Sequence, residues 1–341
     1  MTDENTRTAG RREAAAPVLE VRDLRIEFPI RGRALVAIDG VSFSVGRGEI
    51  LGVVGESGAG KSLTGNALIG LLQAPGRVAA GSIHLSGQRI DNLHENEQRR
   101  LRGKRIGAIF QDPLTSLDPL FTVGRQLTET IRTHFPTLSK TEARGRAVQL
   151  LAEVGIADPE SRFHQYPHQF SGGMRQRIVI ALALAGEPEL IIADEPTTAL
   201  DVSIQAQILA LLKRLARTHD TAIMLVTHDM GVIAEVADRV AVMYAGRLVE
   251  IGPVEDIVRR ANHPYTIGLM ASIPPLHRQP VRLAQISGSM PRLGSWPDGC
   301  SYHPRCPQAG PRCSVGKPMV MAVGATAAAC FQHQGGTALT D

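Results

Sequence analysis

The chain has 341 residues, 43% of them hydrophobic and only 4% aromatic, and carries a formal net charge of +4 at pH 7. That is enough chain for one large or two modest domains with real cores, while the longest apolar run, Ile178 to Ala185, falls far short of the roughly 20 residues a membrane helix needs. A membrane-spanning protein is excluded, and the small net charge gives no case by itself for a nucleic-acid binder.

Residues 1–17 mix charges with Thr and Ala, without periodicity, and read as a disordered tail. They contain no apolar h-region, so no signal peptide is expected. From 18 to about 262 strand-like and helix-like stretches alternate. "VLEVRDLRIEF" alternates with period two and opens an expected antiparallel β-subdomain; "EILGVVG" is a short buried strand, and "KSLTGNALIGLL" a helix. Between about 113 and 175 the strand signal disappears, predicting a helical subdomain inserted into the sheet domain. "ELIIAD" and "AIMLVTH" are strands on either side of the helix "SIQAQILALLKRLART", and "RVAVMYAGRLVEIG" is a hairpin turning at Ala245–Gly246. Such alternation predicts an α/β fold with a mostly parallel sheet covered on both faces. From 263 to 341 Pro and Gly accumulate ("SIPPLHRQP", "MPRLGSWPDG"), predicting an irregular C-terminal domain. This tail holds the whole charge excess: Arg278, Arg282, Arg292, Arg305, Arg312 and Lys317 against Asp298 and Asp341. All four cysteines also lie in it.

"GESGAGKS", Gly55 to Ser62, fits G-x-x-x-x-G-K-S/T and sits between a strand and a helix. Gly55, Gly58 and Gly60, with Glu56, Ser57 and Ala59 between them, let the backbone curl so that its N–H groups face phosphates, at a helix N-terminus that also includes Leu63. Lys61 would place a charge between the β- and γ-phosphates, and the Ser62 hydroxyl would ligate Mg²⁺. "LIIADEPTTALD", Leu190 to Asp201, is a buried strand ending in two carboxylates. Asp194 would hold Mg²⁺ through water. Glu195 is either the acceptor of the attacking water's proton or the cap of the next loop. His228 reaches a γ-phosphate or is structural, and Gln111, ending the strand "IGAIF", is equally open. Phe28, upstream, reads as the last inward residue of its strand.

"HQFSGGMRQR", His168 to Arg177, puts two glycines at a helix entrance without any carboxylate or cysteine. In this order the stretches resemble the ATP-binding subunits of ABC transporters over nearly all of residues 18–260. Walker A is "GESGAGKS", the Q-loop is at Gln111, the signature is "FSGGM", Walker B is "LIIADE", the D-loop is "ALD" and the switch histidine is His228. The signature departs from the commonest LSGGQ at Phe170 and Met174. The resemblance implies a P-loop NTPase fold in which two cassettes pack head to tail. Ser171, Gly172 and Gly173 then grip the γ-phosphate bound to the partner, with Gln111 near Mg²⁺, Asp201 in the D-loop, and Phe28, the alternative to its strand role, as an aromatic platform for adenine. "GESGAGKS", "IFQDPLTSLDPLFTVGRQL", "YPHQFSGGMRQR", "ADEPTTALD" and "HPYTIGLMASIP" further resemble the ATPase subunits of dipeptide, oligopeptide and nickel importers. The tail "GCSYHPRCPQAGPRC" is similar to the C-terminal domain those subunits carry. Implied are a second, often paralogous ATPase, two membrane permeases facing the helical insert and Gln111, an extracytoplasmic binding protein, no nucleic acid, and a place at the cytoplasmic face of the inner membrane. The basic stretch "QRRLRGKR" (98–105) faces acidic lipid or permease, or is an exposed helix face.

Cys300, Cys306, Cys313 and Cys330 lack the C-x₂-C knuckles of most zinc sites. Their wide gaps suit an iron–sulfur cluster on four thiolates, and the resemblance implies a 4Fe–4S cluster; zinc and free thiols are the alternatives. The tail's cations, Arg305 and Arg312 beside two ligands, would offset a cluster's negative charge. A competing reading, a soluble ABC protein acting on ribosomes or DNA, is disfavoured by the single cassette and the lack of a heptad run. Cargo stays open among dipeptides, longer peptides, nickel chelates and glutathione-like compounds.

Overall fold

The computed structural model describes residues 16–30, 32–198, 200–273 and 285–334. The tail expected to be disordered over 1–17 lies outside these apart from residues 16 and 17, as do Ala199 of "ALD" and Arg278 and Arg282. The chain opens with β1 (Leu19–Ile30), β2 (Arg33–Val45), β3 (Ile50–Val54), α1 (Lys61–Leu68), β4 (Arg77–Leu85), β5 (Gln88–Arg89), α2 (Glu95–Leu101) and β6 (Ile106–Ile109). Helices follow without a strand between them: α3 (Pro113–Ser116), α4 (Val123–His134), α5 (Lys140–Glu153), α6 (Pro159–Arg162) and α7 (Gly172–Leu184). Then come β7 (Leu190–Asp194), α8 (Val202–Thr218), β8 (Ala222–Val226), α9 (Met230–Val236), β9 (Arg239–Tyr244), β10 (Arg247–Pro253), α10 (Val254–Arg260), α11 (Pro264–Ala271), α12 (Pro311–Val315), β11 (Met321–Val323) and β12 (Thr326–Ala328).

Two sheets organise these elements. The first, in the order β2-β1-β4-β5, is antiparallel, with Leu19 opposite Val45 on one side and Leu85 on the other. Its period-two pattern buries Leu19, Val21, Leu24 and Ile26, with the register shifting where Asp23 takes a positive φ. The second has the order β11-β12-β10-β9-β3-β8-β7-β6. From β9 to β6 all pairings are parallel, and their short apolar strands of four to six residues (β3 and β8 fully buried) are what a sheet covered on both faces requires. One apolar layer, built on Leu51, Val53, Leu190 and Met224, joins the two sheets; the other, built on Val54, Ile191 and Leu225, meets the helices.

Local sequence chemistry sets the boundaries. The expected helix "KSLTGNALIGLL" stops at Leu68, because Gly70 turns left-handed (φ +66°) and its N–H returns to the Ala67 carbonyl. α5 opens with a reciprocal cap between Ser139 and Glu142. Ala245 and Gly246, both at positive φ, close the hairpin β9–β10. The C-terminal segment is less irregular than its composition suggests. β11 and β12 turn at Gly324 and add to the edge of the main sheet, with Glu250 paired to Ala328. Three-residue strands are too short to show a period. The basic stretch 98–105 divides: Arg102 binds Glu95 and the carbonyls of Ile69 and Gly70, and Arg105 binds Glu189, leaving Arg99 and Arg100 on the exposed face of α2. Among the described residues no helix is long and apolar enough to cross a membrane.

Candidate nucleotide site

The loops that carry the phosphate motif, Gln111, Asp194, Glu195 and His228 all leave the C-terminal ends of parallel strands, so the sheet delivers them to one edge. There they surround a cleft of about 1020 Å³ whose walls include Phe28, Ser57, Gly58, Gly60, Lys61, Ser62, Leu63, Gln111, Glu195 and His228. Gly55, Gly58 and Gly60 all hold positive φ (+152°, +86° and +102°), which bends the loop into a cup. Gly55, Glu56 and Ala59 contribute backbone to that cup, and Ala59 is fully buried. Lys61 is 6% exposed and its ammonium folds back onto the carbonyls of Gly55 (2.8 Å) and Glu56 (3.1 Å). Burial lowers its pKa, opposed by the carboxylates of Glu195, Asp194 and Glu56.

The Ser62 hydroxyl donates to Asp194 Oδ1 at 3.0 Å. Burial, with Glu195 adding to it, pushes the Asp194 carboxyl up against the pull of Ser62 and Lys61. Two hard oxygen donors side by side, one of them a partly desolvated carboxylate, are the set that Mg²⁺ takes together with phosphate and water. Gln111 does not join them: its amide donates to Glu195 Oε2 at 3.1 Å. Glu195 also accepts from Thr198 Oγ1 (2.9 Å) and meets His228 Nδ1 (3.0 Å). Burial raises its carboxyl, but the bonds from His228 and Thr198 and the charges of His228 and Lys61 outweigh that and leave it below the usual range. Its backbone is left-handed (φ +46°), a conformation that costs a non-glycine residue about 1–3 kcal/mol and gathers at functional sites.

The signature lies elsewhere. Ser171 is the N-cap of α7, its hydroxyl accepting, among the described residues, only the Met174 N–H at 3.4 Å, and none of Ser171, Gly172 or Gly173 lines the cleft. The two glycines differ. A Cβ at Gly173 would stand 2.6 Å from Ile204 Cγ2, whereas one at Gly172 would meet only Leu200, at an ordinary 3.6 Å. Asp201 caps α8, accepting from Ile204 N and Ser203 Oγ, and is not part of the cleft.

Three contributions were not foreseen from the sequence. Thr198 supports Glu195, Tyr265 supplies a hydroxyl to the Glu56 N–H (2.9 Å), and Arg305 grips both Glu56 oxygens at 3.0 and 3.1 Å. Thr198 sits inside "DEPTTALD" and was findable there; the other two are about 200 or more residues from their partner and leave no local trace.

The four thiols line one small pocket with His263, Tyr302, His303 and Phe331, and none is in a disulfide. Burial raises the Cys300 thiol, and its three cysteine neighbours raise it further. Yet among the described residues no group of three or more His, Cys, Asp or Glu is arranged to hold a metal ion, so neither the iron–sulfur nor the zinc expectation is supported by the thiols as they stand. The charge argument loses one of its two cations. The Arg305 guanidinium is committed to Glu56, while Arg312 lies over the Phe331 ring that lines the thiol pocket.

Comparison with known proteins covers both parts of the chain. Residues 38–198 match the ABC transporter family, and 249–313 match the family described as oligopeptide/dipeptide transporter, C-terminal region. The dipeptide transport ATP-binding protein DppD of Bacillus subtilis is 50% identical over 291 residues, 85% of this chain and 87% of that one. The oligopeptide transport ATP-binding protein OppD of Escherichia coli is 46% identical over 320 residues, 94% of each chain. OppD of Mycobacterium tuberculosis is equally similar over 94% of this chain, which spans about half (52%) of that longer protein. Among solved structures, a cassette from Clostridium perfringens that is part of an ABC transporter complex superposes with a TM-score of 0.62 at 27% identity, covering 72% of this chain and 91% of its own. A dimeric cassette bound to ADP and Pi gives 0.61 at 27%, covering 69% and 98%.

Proposed function

The chain belongs to the ABC transporter family, among the oligopeptide and dipeptide transport ATP-binding proteins, and from that premise we propose that it is the ATP-hydrolysing subunit of a peptide importer, working as one of two cassettes that close on nucleotide. The observation that carries this is the division of the site: Lys61, Ser62, Gln111, Glu195 and His228 line one cleft, while Ser171 and Gly172 stand exposed outside it.

In this reading the P-loop N–H groups and Lys61 hold the phosphates, Lys61 exchanging its carbonyl partners for phosphate oxygens. Ser62 and Asp194 would hold Mg²⁺, which supplies neutralisation of phosphate charge when bound. Glu195 is ionised at neutral pH and accepts the proton of the attacking water. His228, Thr198 and Gln111 fix its orientation, and the Gln111 bond would also report whether the helical insert has moved. Phe28 stacks on the base. Ser171 and the N–H groups of Gly172 and Gly173 complete the partner's site at the N-terminus of a 13-residue helix. The partner cassette is identical or paralogous; two permeases and an extracytoplasmic binding protein complete the assembly at the cytoplasmic face of the membrane, with di- and oligopeptides as cargo. Residues 18–262 form the ATPase domain and 113–175 its helical insert.

The C-terminal domain, 263–341, would carry a 4Fe–4S cluster on Cys300, Cys306, Cys313 and Cys330. The four thiols share one pocket but are not arranged to hold a metal ion as they stand, so metal analysis alone decides the cluster, and no catalytic step depends on it. Iron and acid-labile sulfide in anaerobically purified protein would bear it out; their absence would remove the cluster. For the function itself, vesicles holding the permeases and this subunit should accumulate peptide when ATP is present, and lose uptake with Glu195→Gln. Hydrolysis indifferent to permease and peptide-loaded binding protein would refute the importer assignment.

A further inference from the structure

One wall of the nucleotide cleft comes from the C-terminal domain rather than from the ATPase core. Met290, Pro291, Arg292, Leu293 and Trp296 line it. The segment is seated rather than draped. Met290 Sδ lies 3.9 Å from where a Cβ on Gly58 of the phosphate loop would stand. The Trp296 ring approaches the β9–β10 turn so closely that a Cβ on Gly246 would be 2.5 Å from its Cη2. The Ser295 N–H returns to the Arg292 carbonyl (2.9 Å), a turn that brings Arg292 and Trp296 to the same wall.

The root of the segment is fastened to the phosphate loop by a single side chain. Arg305, whose side chain is 7% exposed, donates Nε to the Ser287 carbonyl (2.8 Å) and Nη1 to both oxygens of Glu56. Its guanidinium also lies over the Tyr244 and Tyr302 rings. A planar, five-donor group is suited to such a junction, where an ammonium is not. The cleft keeps about 1020 Å³ with the segment in place, at the upper end of the usual range for small-molecule sites, about 300–1,000 Å³. The wall therefore bounds the space without filling it.

We propose that residues 290–296 are part of the nucleotide site and that Trp296 is a platform for the base, contributed by the C-terminal domain across the cleft that Phe28 also lines. This rests on the reading that the cleft binds ATP, and adds a base-contacting residue outside the cassette. Stacking of a base on an aromatic ring is sequence-tolerant and large enough to weigh in affinity. Trp296 is the chain's sole tryptophan, so its emission reports directly on the contact.

The test uses the full chain, purified anaerobically, in four forms: unmodified, Trp296→Ala, Trp296→Phe and Lys61→Ala. Tryptophan emission is followed during Mg-ATP titration, and the affinities for Mg-ATP and Mg-tripolyphosphate are measured by calorimetry. Expected is a saturable emission change in the unmodified chain that Lys61→Ala removes. Trp296→Ala should weaken ATP by about tenfold while tripolyphosphate, which has no base, stays within about twofold; Trp296→Phe should restore most of the loss. ATP binding without an emission change, an equal loss for both ligands, or tighter ATP binding in Trp296→Ala (a wall that obstructs) would each overturn the proposal. No ATP binding to the unmodified chain would instead overturn the functional reading beneath it.

Discussion

In the proposed reaction Glu195 and Ser171 stand at two ends of one site, and they are built differently. Glu195 is held by His228, Thr198 and Gln111 at 2.9–3.1 Å, on a left-handed backbone, at the edge of a buried parallel sheet. Among the described residues Ser171 has one long bond to its own helix, and Gly172 beside it is exposed, with only an ordinary contact to Leu200. A group that must act inside its own chain is pre-oriented by that chain; a group that completes another molecule's site is left accessible. Under the proposed function, the contrast accounts for a signature without a catalytic side chain.

The largest effect should come from breaking the prepared side. Glu195→Gln keeps shape and hydrogen-bonding capacity but removes the proton acceptor, and turnover should fall by about 10²–10⁴ with ATP affinity retained, read by phosphate release beside equilibrium binding. Turnover near that of the unmodified chain would take Glu195 out of the proton transfer.

The two signature glycines sharpen the contrast within four atoms of backbone. Gly173→Ala drives a methyl into Ile204 and should cost about 1–3 kcal/mol in urea unfolding. Gly172→Ala should leave the midpoint of unfolding within about 0.5 kcal/mol yet slow hydrolysis in the assembled pair, because the methyl occupies space meant for the partner's nucleotide. Equal destabilisation by both would mean that Gly172 is there for packing.

A further effect, confined to acid, lies away from both ends, in the junction between the ATPase core and the C-terminal domain. His263 caps α11 through Nδ1, is 1% exposed, and burial draws its pKa down from 6.5 to about 3. The unfolded chain takes up a proton below pH 6.5 that the folded chain refuses. Stability from this group is therefore complete above pH 6.5 and falls by about 1.4 kcal/mol per pH unit as pH drops towards 3. His263→Asn keeps an acceptor for the Tyr265 N–H without a titrating ring. Its unfolding midpoint should depend less steeply on pH between 6.5 and 5, and an unchanged slope would assign the acid sensitivity to other groups.

How much of this the sequence disclosed depends on distance along the chain. The phosphate loop and the carboxylates ending β7 are contiguous runs flanked by apolar strands of the length a doubly covered sheet demands, so residue type and spacing point to them, whereas the signature is legible only through its resemblance to the family. The helix after Lys61 came out shorter because Gly70 acts as a left-handed stop inside an apolar run. β11 and β12 escaped because three residues cannot display a period, and Pro- and Gly-rich surroundings suggested loop. Arg305 on Glu56 and Trp296 on Gly246 join positions far apart in sequence, and only the folded chain brings them together. The same limit misled the charge argument: Arg305 adjoins Cys306 in sequence, while its guanidinium serves the phosphate loop.

Most direct of all is Ser171→Arg in the assembled pair of cassettes, with ATP affinity at this chain's own cleft and turnover at the partner's measured side by side. The account predicts own-site affinity unchanged within about twofold and partner-site turnover lowered by about 10²–10³, the loss typical of a missing oxyanion donor. Full turnover in that variant, or full-rate hydrolysis by a strictly monomeric chain, would contradict it.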